Sequence, residues 1–96
     1  MTKLHHSGTA QEMASRQASV IRGMMDDLER TVQILSIDIS TEEERVLVFD
    51  GSDPAYPLLA RTLTARRDNL IVTIADLRQR LRAITAAIPV AIPEAA

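Results

Sequence analysis

The side chains with the widest chemical reach in this chain are two carboxylate runs, a histidine pair and a set of arginines. The runs are Asp26-Asp27 and Glu42-Glu43-Glu44, the pair is His5-His6, and the arginines are Arg61, Arg66, Arg67, Arg78, Arg80 and Arg82. Carboxylates that share a metal or a proton must converge, yet neighbouring residues of a helix diverge by about 100°. A run of three therefore spreads around its rod. Two adjacent imidazoles lack the third and fourth ligands of a stable zinc site. No Glu-x-x-His spacing is present to build a carboxylate metal pair inside a helical bundle. No Gly-rich phosphate loop or nucleophile elbow occurs, and without cysteine there is no thiolate to serve as nucleophile or ligand. The expectation is a protein that is not an enzyme, with no catalytic residue, metal, cofactor or small-molecule substrate.

The arginines alone could grip phosphates. Against this, 11 Lys+Arg face 13 Asp+Glu for a net charge of −2, and Phe49 and Tyr56 are the only aromatic residues on which bases could stack. Nucleic acid is therefore not the expected partner. No window reaches the roughly 18 consecutive apolar residues of a membrane span, and no charged-then-apolar leader opens the chain, so the expected location is the cytoplasm.

The elements that must hold these residues are written in the apolar spacing. Ala14, Ala18, Ile21, Met25, Leu28, Val32, Leu35, Ile39, Val46 and Phe49 follow one another in steps of three and four, interrupted by Glu42. Tyr56, Ala60, Leu63, Leu70, Ile74, Leu77, Leu81, Ile84 and Ile88 repeat the pattern, interrupted by Arg67. Such steps are the mark of paired helices. The break between them is Asp50-Gly51-Ser52-Asp53-Pro54, where Gly permits positive φ, Asp53 can cap free amides and Pro54 suits a first helical turn. The expected fold is all-α, an antiparallel two-helix hairpin. Its parts are a flexible N-terminal tail over 1–9, a helix over 10–49, a turn over 50–53, a helix over 54–88 and a flexible Pro/Ala tail over 89–96. Pro57 could delay the second helix by a turn, and Val46 to Phe49 alone would pass for a strand.

A hairpin makes an arithmetic demand: residues that meet across the seam have position numbers with a nearly constant sum. Phe49 with Tyr56, Val46 with Ala60, Leu35 with Leu70, Val32 with Ile74, Leu28 with Leu77, Met25 with Leu81, Ile21 with Ile84 and Ala18 with Ile88 all give 105 or 106. In this register Glu42 and Arg67 fall in neighbouring layers, and they are expected to pair across the seam as a device that fixes register; the alternative is that both reach out to the rim. Charge favours the same topology, because residues 10–49 hold four arginines and eight acids while residues 54–88 hold six arginines and two acids. Glu43 with Arg61, Asp38 with Arg66 and Asp26 with Arg78 are the expected flanking pairs.

Two rods bury only one seam each. Val20, Met24, Ile34, Ile37, Leu59, Ile71 and Val72 lie off that seam and are the expected interface of a four-helix-bundle homodimer, or else of an unidentified protein partner. The turn Ser52-Asp53-Pro54-Ala55 between two long helices resembles the turn of type III secretion needle subunits, which are hairpins of similar length. The length is also similar to that of the small hairpins exported by type VII secretion, whose Trp-x-Gly turn has no counterpart here. These likenesses imply a secretion-associated subunit or chaperone. The reading of the residues themselves is a protein-interaction or self-assembly module.

Overall fold

A computed structural model describes the backbone of residues 2–87 and the side chains of residues 9–87. It is all-helical: α1 runs Thr2–Val46, α2 runs Leu58–Ala87, the two pack against each other, and no strand occurs among the described residues. The radius of gyration is 21.0 Å, where a compact chain of this length would have about 12–13 Å. The molecule is thus a rod pair, and its 68 Å long axis is the length of α1.

The seam follows the expected register through its middle. Ile21, Met25, Ile74 and Leu77 form one buried cluster, with Leu28, Val32, Leu81 and Ile84 packed around it. Leu35 is buried in the next layer and Leu70 is half-buried. Arg78 Nη2 donates to Glu29 Oε2 at 3.3 Å across the two helices, one helical turn from the Asp26 expected for it. The expected partner of Ala18, Ile88, and the Pro/Ala tail over 89–96 lie outside the described residues.

The ends of the elements depart from expectation. Residues 2–9, expected as a flexible tail, continue α1 without a break. At its other end α1 stops at Val46 rather than at residue 49, because Leu47 adopts a left-handed φ of 63°. The Leu47 N–H donates to the Glu43 carbonyl at 2.7 Å, closing the helix in the way a C-terminal glycine usually does. The positive φ thus lies at Leu47, and Gly51, whose type permits one, does not adopt it.

The connection then winds through two stacked turns. Ser52 N–H and hydroxyl both donate to Asp50 Oδ1, at 2.9 and 2.8 Å, and the Ala55 N–H donates to Asp53 Oδ1 at 2.8 Å. Backbone bonds from Asp53 N–H to the Asp50 carbonyl and from Tyr56 N–H to the Asp53 carbonyl close each turn. Asp53 does cap an amide, but α2 begins at Leu58, not at residue 54. Pro57 has no N–H to give; its carbonyl accepts the first helical bond, from Arg61 N–H at 3.1 Å.

This longer connection changes the last layers of the seam. Tyr56 and Ala60 pack with Ile39, with Val48 and Leu63 around them, while Phe49 is 59% exposed and does not close on Tyr56.

Candidate interaction surface

The polar residues expected in the seam are separated. Glu42 accepts two hydrogen bonds from Arg45, Nε to Oε1 at 3.0 Å and Nη2 to Oε2 at 2.6 Å, so its cation comes from its own helix rather than from Arg67. Those bonds hold the Glu42 carboxyl below its ordinary range despite some burial, and the same carboxylate raises the Arg45 guanidinium. Arg67 is half-buried, with its side chain 30% exposed; its buried Nε has no hydrogen bond and lies 3.5 Å from Asp68 Oδ1. The physical reason is reach: an i,i+3 partner on the same helix is fixed before the seam forms, and it satisfies both carboxylate oxygens.

A second group ties the connection to the helices. The Tyr56 hydroxyl donates to Glu43 Oε2 at 2.7 Å, and this bond, helped by burial, raises the phenol above its ordinary value. Arg61, expected beside Glu43, instead donates to the Gly51 carbonyl at 3.0 Å and lies 5.4 Å from the Tyr56 ring centre. Asp50 is held below its ordinary range first by the Ser52 amide and then by the Ser52 hydroxyl. Capping preference announced Asp53, but the bonds of Ser52 to Asp50 and the reach of Tyr56 to Glu43 and of Arg61 to Gly51 had no periodic signal. Among the described residues no group of histidine, aspartate and glutamate is placed to hold a metal ion, and no helix is long and apolar enough to cross a membrane.

The apolar residues left off the seam are exposed: Val20 60%, Met24 46%, Ile34 56%, Ile37 64%, Leu59 54%, Ile71 47% and Val72 60%. They do not form one patch. At about 100° per residue, Met13, Val20, Met24, Thr31 and Ile34 fall along one flank of α1, in steps of three, four and seven. On the same side of the hairpin α2 presents Leu59, Arg66, Thr73, Arg80 and Ile84. A shallow groove lined by Arg16, Gln17, Val20, Ile21, Arg80 and Ile84 joins the two helices there. Ile71 lies on the opposite flank, in a groove with Glu29, Gln33 and Arg78. By the same turn angle Ile37 and Val72 point away from the seam on the outer sides of their helices.

The first flank thus carries Met13, Val20, Met24 and Ile34 exposed along α1; its acidic interruptions, Asp27 and Asp38, lie on α1, Arg66 and Arg80 lie on α2, and Arg16 of α1 lines the end of the groove beside Arg80. Asp27 pairs with Arg30 one turn along its own helix, with side chains 74% and 67% exposed. Asp38, Arg66 and Arg80 make no ion pair among the described residues. No protein-family model matches the chain, and no curated protein or solved structure does so either.

Proposed function

We propose that this chain is a self-associating helical hairpin, a non-enzymatic module that works by protein–protein contact. The observation that carries the reading is the stripe Met13, Val20, Met24 and Ile34, four large apolar side chains between 46% and 60% exposed on one flank of a well-formed helix. The packed seam has no further place for them. Exposed apolar side chains at regular helical spacing reduce their contact with water by meeting a second surface of the same kind, and for hairpins that surface completes a four-helix bundle. Single apolar side chains on a surface are ordinary, but a stripe in register with the helix is not.

The test is the solution mass. Sedimentation of the wild-type chain is expected to give twice the 10.6 kDa of one chain. Val20→Glu combined with Ile34→Glu is expected to return the mass to a single chain while the helical circular dichroism is kept. A wild-type protein that stays at 10.6 kDa at millimolar concentration overturns the reading.

A further inference from the structure

We infer that the second copy docks with its α2 on the exposed flank of α1, about a two-fold axis parallel to the rods, and that Asp27–Arg80 and Asp38–Arg66 contacts between copies select this arrangement. The inference rests on the self-association proposed above and says which surfaces meet. Two faces of a flat helix pair can stack in two ways. An axis perpendicular to the rods sets α1 against α1, whereas an axis parallel to them keeps every residue at its own level and sets α1 of one copy against α2 of the other.

Levels can be read from the seam. Val20 and Ile84 line one groove, and Glu29 meets Arg78, so residues of α1 and α2 that share a level are known along the rod. By that scale Asp27 is level with Arg80, Ile34 with Thr73, and Asp38 with Arg66. All six are exposed and lie on the same side of the hairpin. Stacking α1 on α2 of a second copy brings each acid that interrupts the apolar stripe to an arginine, while Val20 meets Ile84. Stacking α1 on α1 would set two acidic helices together and leave the arginines of α2 facing one another. Like-charge contacts of that kind discriminate strongly between arrangements.

The experiment uses two single variants of the full chain, Asp27→Arg and Arg80→Asp, each checked for helicity and measured by sedimentation alone and as an equimolar mixture. Each variant alone confronts like charges at both symmetric contacts and is expected to dimerise at least about tenfold more weakly than wild type. The mixture restores opposite charges at both contacts of the heterodimer and is expected to return to within about threefold of wild type, with a gain that fades as salt is added. An exchange of charge within one chain would give no benefit on mixing. A mixture no tighter than its components overturns the arrangement while leaving self-association intact; crosslinking of Met24→Cys to its own copy would then mark α1-on-α1 stacking. A wild-type monomer overturns both.

Discussion

The middle of the seam and its closed end obey different physics. Around Ile21, Met25, Ile74 and Leu77 the chain is two straight rods, and burial follows from periodicity alone. Around Ile39, Tyr56 and Ala60 the chain must also reverse direction, and there the eleven residues from Leu47 to Pro57 impose their own geometry. A left-handed leucine, two aspartate-bonded turns and a proline that cannot donate decide which side chains return to the seam. Regular elements carry their partners in their spacing. A reversal carries them in a few local bonds, and an error of one turn there moves Phe49 from core to solvent.

The largest expected effect breaks the regular half. Leu35 is 5% exposed between the two clusters, so Leu35→Asp buries a carboxylate with no partner at a cost of roughly 3–5 kcal/mol. Against a total stability of about 5–15 kcal/mol for an ordinary domain, and less for a hairpin with so little interior, this should leave the chain largely unfolded. Helical circular dichroism reads the outcome, and melting near wild type would mean that the seam does not hold the rods together. Next comes the closed end. Ala60 is fully buried against Ile39 and Tyr56, the point where α2 comes close to α1. Ala60→Leu is expected to cost about 1–3 kcal/mol through overpacking, seen as a lower denaturant midpoint. No loss would show that this end is loose and that its cluster contributes little.

The same contrast explains what the amino-acid sequence revealed. Eight residues from Ile21 to Ile84 fall where constant-sum pairing puts them, because a fixed rise and turn per residue leave no freedom once the register is set. The pairing of Glu42 with Arg67 failed for the opposite reason: long charged side chains choose among several partners, and Arg45 is nearer. The exposed surface was half legible. Hydrophobicity identified Val20, Met24, Ile34 and Leu59, but residues at neighbouring numbers, such as Ile71 and Val72, turn to different faces, and only the packed hairpin shows which flanks share a side.

Smaller effects sharpen the difference between the two regions. At Leu47 the φ of 63° places a side chain that is 75% exposed in a conformation suited to glycine. Leu47→Gly relieves a strain of roughly 1–2 kcal/mol and gives back part of it as unfolded-chain entropy. The net expectation is a gain of about 0.5–1 kcal/mol in unfolding free energy, read as a higher denaturant midpoint. A loss would show that the Leu47 side chain has packing to give up. A glycine placed in the straight middle, for example at exposed Gln33, should instead cost about 1 kcal/mol, so one residue type has opposite signs in the two regions.

The smallest effect is electrostatic and appears only when pH is varied. Glu42 and Asp50 both lie below their ordinary values of 4.5 and 3.8, so the stability they contribute is present above those values and is lost as pH falls through the lower folded ones. Tyr56 lies above its ordinary 10.0, so its contribution is present below that pH and is lost as pH rises through the folded value. All three groups sit at or next to the closed end, which makes that end the pH-sensitive one. Glu42→Gln is expected to leave melting at neutral pH nearly unchanged, because an i,i+3 pair open to water on the arginine side is weak, and to flatten the acid limb. Tyr56→Phe should flatten the alkaline limb instead, by removing both the titrating phenol and its bond to Glu43. Identical pH profiles for wild type and both variants would mean that these bonds do not hold the reversal, and that the paired rods alone set its stability.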